Sequence, residues 1–294
     1  MVRARIPGVA AAGDRWRLVA HLAGLLVVLA YFDFLLDRGP WHNDAYGFWL
    51  AWDGGLYDIP SLDHGAYVYS PAFAQAIAPL TALPWETFWP AWLVLQFAAL
   101  LLLAGPAWSG LILLLPWPSV EGYANAVPAT IYNGNPQLLL ALAVVAGLRW
   151  PAAWAIPILM KVTPGVGVLW FAIRREWRSL GVAIGVTVGI VAISAAFDAG
   201  LWTQWLGLLR DSAGANALTK EPILPLPLIV RLPIALVLLV WGALTNRYWT
   251  VPIVATLALP AVQLGGFAIL VAALPFLGLP LTPRWPLGGG RVAT

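Results

Sequence analysis

The sequence predicts an all-α, polytopic membrane protein: a bundle of about ten transmembrane or half-membrane helices, with an outer loop carrying short interfacial helices. Two observations carry this. Hydrophobic residues make up 61% of the 294 and charged residues 10%, against about 25% charged in an ordinary soluble domain; mean hydropathy is +0.81. Roughly ten apolar stretches of helical length or half-length follow one another along the chain. The 18 tryptophans fit interfacial belts, where an apolar ring with one N–H donor is best placed. With no cysteine, disulfides, thiolate chemistry and Cys-based metal sites are excluded. The bases are scattered over helix ends rather than gathered in a stripe, so the pI of about 9.4 does not indicate nucleic-acid binding.

The elements are expected in this order, within a single integral membrane domain, 1–294. Arg17 to Leu36 follows Arg3, Arg5, Arg15 and Arg17. Its length and its end at Tyr31-Phe32-Asp33-Phe34 favour a retained signal-anchor helix over a cleaved signal peptide. A polar loop, about 37–70, comes next. Ser70 to Leu83 is a short inward helix, and Trp85 to Ala104 runs back. Trp108 to Thr130 is broken by Pro116, Pro118 and Pro128. Gly134-Asn135-Pro136-Gln137 opens an inward helix ending near Arg149. Trp177 to Phe197 runs outward. A second outer loop, about 198–227, carries an interfacial helix at Leu201 to Arg210, and about three further helices close the chain.

The basic N-terminus is expected to be cytoplasmic, which places loop 37–70 outside. The same rule puts Arg149, Arg174, Arg175, Arg178, Arg247, Arg284 and Arg291 inside, so that 11 of the 16 bases are accounted for. The five left over, Arg38, Lys161, Arg210, Lys220 and Arg231, fall on the outer side, and an anionic ligand would explain them. Trp150 to Phe171 is only about one helix long, yet both its ends, Arg149 and Arg174, read as cytoplasmic. Two half-helices meeting at Lys161-Val162-Thr163-Pro164-Gly165 resolve this, because Pro164 interrupts a helix and biases Thr163 away from it. The alternative is one Pro-kinked helix with Lys161 snorkelling.

Loop 37–70 carries the chemistry. It holds five of the 13 acidic residues, Asp37, Asp44, Asp53, Asp58 and Asp63, and two of the three histidines, His42 and His64. Asp44, just beyond the first helix, reads as a general base for a hydroxyl nucleophile or as the cap of a short helix 45–52; the two are compatible. Asp53 and Asp58 flank Gly54-Gly55 and read chiefly as turn residues. Asp33, at the end of the apolar stretch, is a functional candidate by depth or simply reaches water. His64 reads as a phosphate contact or acid–base group, or as a solvated loop residue. No His and carboxylate set has metal-ligand spacing, so no metal site is expected. Walker A, GxGxxG, GxSxG and HExxH are all missing, and no cofactor is expected.

The motifs, taken in order, resemble glycosyltransferase family 87, the polyprenyl-phosphate-mannose-dependent mannosyltransferases of the GT-C superfamily. Asp44-x-Tyr46 resembles that family's Asp-containing first outer loop. Gly55-Leu56-Tyr57-Asp58 resembles its Gly-x-x-Tyr-Asp turn, and Tyr67-x-Tyr69-Ser70-Pro71-Ala72-Phe73 its Tyr-Pro-Pro-Leu-Phe entry to the second helix. Gly134-Asn135-Pro136-Gln137-Leu138-Leu139 resembles its Gly-Gln-x-Asn-Leu-Leu segment. Lys161-Val162-Thr163-Pro164 and Arg174-Arg175-Glu176-Trp177-Arg178 resemble its Lys-Leu-Thr-Pro and Arg-Arg-x-Trp pair. Ser70 stands where the family often has proline, Asn135-Pro136-Gln137 only approximates its pattern, and the chain is short for the family.

The resemblance implies a GT-C-like bundle in the plasma membrane with its active site on the outer face. It implies inverting transfer of a sugar, mannose, from a polyprenyl-phosphate donor to a lipid-linked or envelope glycan acceptor. Asp44 is then the base. Lys161, Arg210 and Arg231 are the cations available to the leaving phosphate, and His64, Tyr69, Asp58, Asn135 and Gln137 are the further substrate contacts. The expected partners are the donor, a glycolipid or glycan acceptor and the bilayer, with no nucleic acid. Two other classes stay open: a lipid-linked sugar flippase, which would also use broken helices and buried cations, and a non-catalytic GT-C relative.

Overall fold

The computed structural model describes residues 7–37, 44–61, 63–115, 125–214, 224 and 226–285. Arg38, His42, Lys220 and Arg291, named above, lie outside the described residues. The regular secondary structure of the described residues is all helical, with no strand. Its α-helices are α1 Pro7–Leu36, α2 Asp44–Trp49, α3 Pro71–Thr81, α4 Trp85–Leu114, α5 Ala126–Tyr132, α6 Gln137–Arg149, α7 Ala155–Lys161, α8 Leu169–Ile173, α9 Trp177–Phe197, α10 Ala199–Gly214, α11 Leu228–Thr245 and α12 Thr250–Leu257. Short 3-10 stretches extend α2 (Leu50–Trp52), precede α7 (Pro151–Trp154), link α7 to α8 (Thr163–Val168) and close the bundle (Leu264–Phe276).

Among the described residues four helices are long and apolar enough to cross a membrane: 15–36 of α1, α4, α9 and α11. The bent pair α5 and α6, at 114°, would make a fifth. The expected ten-segment count is therefore met only in its coarse form, as an all-helical chain with membrane-length helices. Several of the remaining apolar stretches fold as half-length pieces instead.

α1 packs chiefly against α4. Trp89 Nε1 donates to the Leu35 carbonyl at 2.8 Å, Phe97 meets Tyr31 and Phe32, and Gly24 packs against Pro106 and Gly110. The start of α4 therefore lies beside the end of α1, and α4 runs antiparallel to it. This corrects the expected path of Ser70 to Ala104. α3 does not cross inward, and 85–104 leads away from the loop rather than back to it. The reason is length: the eleven residues of α3 span about 16 Å, roughly half a hydrocarbon core of about 30 Å.

α4 is itself broken at Gly105, where φ 74° and ψ 163° suit only glycine. Ser109 Oγ contacts the Leu100 carbonyl, nine residues earlier, which a straight helix would hold about 13 Å away. The 106–114 stretch therefore folds back. α7 stops at Val162, whose φ of 55° is non-helical, and the 3-10 stretch after it returns. This is the pair of half-helices expected at Lys161, not one kinked helix.

The ends of the bundle differ in charge. Trp285 donates to Leu102 and stacks edge-on to Trp150, and Arg174 bonds to the Ala243 carbonyl and to Asn246. These contacts place Arg149, Arg174, Arg247 and Arg284 at the end away from loop 44–70. At the loop's end lie Lys161, Arg231 and α10, which is tied down by Trp202 to Ser194 and Trp205 to Val68.

The tryptophans do more than belt the membrane. Trp89, Trp92, Trp154 and Trp170 are fully buried, and the N–H groups of Trp89 and Trp92 staple helices through backbone carbonyls. Buried indole N–H groups favour such acceptors; that of Trp154 has none among the described residues.

Arg231 is likewise structural. It is buried and donates to the carbonyls of Leu226, Leu257, Leu259 and Pro260 at 2.7–2.9 Å, pinning the start of α11 to the end of α12. The fork satisfies carbonyls left open at a helix end. Arg231→Met should destabilise the fold by about 3 kcal/mol or more, since several carbonyls lose their donor at once. Lysine should rescue poorly. Thermal unfolding in detergent measures both variants, and an unchanged melting temperature would contradict the structural role.

Candidate functional site

The site is built where the chain breaks its helices. The α5–α6 connection carries Asn133-Gly134-Asn135-Pro136. Its first carbonyl, of Asn133, accepts from the Ala45 N–H at 3.2 Å, so this turn holds the start of α2. The Gly134 carbonyl accepts from Trp92 Nε1 at 2.7 Å, which ties the turn to α4. Gly134 has φ 65°, and a Cβ there would stand 2.4 Å from the Ala45 Cβ. Only glycine combines that backbone with that approach.

This arrangement delivers Asp44 to Asn135, whose Nδ2 donates to the carboxylate Oδ2. Asn135 Oδ1 and Gln137 Oε1 are buried with no hydrogen-bond partner among the described residues, which is unusual for buried amides. Tyr69, buried in the loop's aromatic cluster with Phe48, Tyr67 and Phe73, lies under Lys161. The Lys161 Nζ sits 4.9 Å from the ring centroid, a cation–π distance. His64 packs edge-on to Tyr46 at 4.9 Å.

The electrostatics tie these groups together. Asp44 keeps an edge exposed to solvent, yet protein atoms crowd its carboxylate. That burial raises its pKa above the ordinary aspartate value, against the Asn135 hydrogen bond and the charges of Lys161 and His64, which pull it down. The Tyr69 hydroxyl is pushed up by burial and then by the Asp44 charge. A crowded carboxylate with a raised pKa beside an ammonium is an arrangement seen at catalytic bases.

Of the residues expected from sequence, the structure brings Asp44, His64, Tyr69, Asn135 and Lys161 within hydrogen-bonding, ring or Coulombic reach of one another, with Gln137 two residues from Asn135. It does not bring the others. Arg231 spends its guanidinium on four carbonyls, and Arg210 is an exposed residue of α10. Asp58 accepts from the Gly55 N–H at 3.0 Å and closes the Gly-Gly turn. Among the described residues no group of three His or carboxylates could hold a metal. The sequence reading missed Trp92 and Asn133, which position the turn; nothing in a buried indole or a loop carbonyl advertises that role.

Residues 67–275 match the profile of Glycosyltransferase family 87, which is more than two thirds of the chain. The chain therefore belongs to glycosyltransferase family 87. Searches of curated proteins and of solved structures gave no match. The matched stretch contains Tyr69, Asn135, Gln137 and Lys161 but begins after Asp44 and His64, so the case for those two rests on geometry.

Proposed function

We propose that this membrane glycosyltransferase moves a sugar, mannose, from a polyprenyl-phosphate donor to a lipid-linked or envelope glycan acceptor, with inversion, in a GT-C-like bundle forming one membrane domain. The observation that carries the reading is the Asp44 carboxylate: it is held by Asn135, crowded by protein, and faced by the Lys161 ammonium. In the reaction, the acceptor hydroxyl oxygen bonds to the anomeric carbon on the face opposite the phosphate. The bond from that carbon to the phosphate oxygen breaks, its electron pair leaving with polyprenyl phosphate. The hydroxyl proton passes to Asp44. Lys161 meets the leaving phosphate as a point charge. Asn135 Oδ1 and Gln137 Oε1 accept hydroxyls of the bound sugars, and Tyr69 supports Lys161. Arg231 and Asp58 have no part in this site.

The site lies at the end of the bundle away from Arg149, Arg174, Arg247 and Arg284, and by the positive-inside rule this supports a location on the outer face of the plasma membrane. There a donor's isoprenoid tail stays in lipid while its sugar is wet. The test of activity is to incubate the purified full-length chain with polyprenyl-phosphate-mannose. Donor consumption with release of polyprenyl phosphate is expected; a donor that stays intact with every glycan acceptor tried removes the reading. Orientation is tested separately. A Ser61→Cys variant should react with an impermeant thiol reagent on intact cells, and labelling only after lysis would reverse the topology.

A further inference from the structure

A concavity opens at the far end of the short element that begins with Asp44. It has a volume of about 530 Å³ and is lined by Trp49, Trp52, Asp53, Thr81, Leu83 and Pro84 among others, within the roughly 300–1,000 Å³ of ligand pockets. Its walls are fixed. Trp49 donates Nε1 to the Leu83 carbonyl at 2.8 Å and packs edge-on to Trp85 at 5.7 Å. Trp52 is 43% exposed, a large aromatic surface with no ring partner among the described residues. Asp53 is exposed, and among the described residues its carboxylate makes no hydrogen bond or ion pair. Neither residue supports the fold, and the mechanism above uses neither.

We propose that this cavity binds a sugar ring of the acceptor glycan, one removed from the unit that receives the transferred sugar. The chemistry matches: a pyranose offers an apolar C–H face to an indole and paired hydroxyls to a carboxylate. So does the position. Trp49 and Trp52 stand about 8–13 Å along the helical element from Asp44, a reach that a short oligosaccharide covers. The surface between is aromatic: Tyr46, beside His64, packs on Trp49 and Trp85. An acceptor lying along this track places one ring between Trp49 and Trp52 and presents its terminal hydroxyl at Asp44. The enzyme then recognises an oligosaccharide and extends it, rather than glycosylating a lone sugar. This inference rests on the glycosyltransferase reading of the Asp44 cleft.

The test uses the purified full-length chain and two probes without donor, mannose and linear mannotetraose, with binding followed by ligand-detected NMR. Mannotetraose is expected to bind well above mannose. Trp52→Ala and Asp53→Asn should each weaken tetraose binding about tenfold, Trp52→Phe should largely restore it, and melting temperatures should hold because both side chains are exposed. Equal binding of mannose and mannotetraose, undiminished binding in Trp52→Ala and Asp53→Asn, or displacement of the tetraose by choline, which would make the cavity a cation cage, each overturns the proposal. These outcomes need no donor, so they stand apart from donor consumption, whose absence would instead sink the transfer reaction.

Discussion

Asp44→Asn should lower sugar transfer by roughly 10²–10⁴-fold, the usual effect of losing a general base, while the protein expresses and melts normally. The direction of the pKa shift sharpens this. Burial raises the folded-state pKa of Asp44 above its ordinary value, so its ionised form is disfavoured in the fold. Any contribution of the group to stability is greatest at low pH and falls as pH rises from the ordinary value through the raised one. At neutral pH an uncharged asparagine should therefore be neutral or slightly stabilising. A helix-capping aspartate behaves in the opposite way, costing about 1 kcal/mol when its capping oxygen is lost. Activity of the native enzyme should fall on the acid side at a pH above the ordinary aspartate range, because the base must be ionised. Retained turnover in Asp44→Asn, or turnover lost together with the fold, would return Asp44 to a structural role.

The sequence made the break at Lys161 legible because two independent constraints met there: Arg149 and Arg174 had to share an end, and Pro164 had to interrupt the helix. The residues of the candidate site stood out for a related reason. Polar residues in an apolar chain stand out, and Asp44, Tyr69, Asn135 and Lys161 all do. The fates of Arg231 and Arg210 were not. A charge count places a cation at the outer end of a helix, but whether the guanidinium faces a cavity or four carbonyls depends on where the end of α12 comes to rest. The direction of α4 was also hidden. Hydropathy gives a helix no direction, and the short α3 looked like a crossing until its end was seen level with the end of α1. The cavity at Trp49 and Trp52 escaped for the reason that tryptophans read as membrane belts: only packing distinguishes a buried staple such as Trp92 from an open platform such as Trp52.

Lys161→Met should weaken donor binding by roughly 10–150-fold, the loss of a charge-assisted contact worth about 1.5–3 kcal/mol, and leave acceptor affinity almost unchanged. Lys161 ends α7 at a non-helical turn, its ammonium over Tyr69, and among the described residues no carboxylate pairs with it within ion-pair distance; the one such pair, Arg174–Glu176, lies at the other end. An ammonium held there by a ring and a nearby carboxylate retains donors for an incoming anion. The substitution also carries a signature that a packing defect would not. Lys161 pulls the Asp44 pKa down, so its removal should move the acid limb of the pH–rate profile upward, toward neutrality. Asn135→Leu, which removes the hydrogen bond that also holds that pKa down, should move the limb the same way. If Lys161→Met raises donor KM but leaves the acid limb in place, Lys161 serves the phosphate without sensing Asp44. If donor KM is unchanged, the phosphate is bound elsewhere and the cleft around Asp44 is not the donor site.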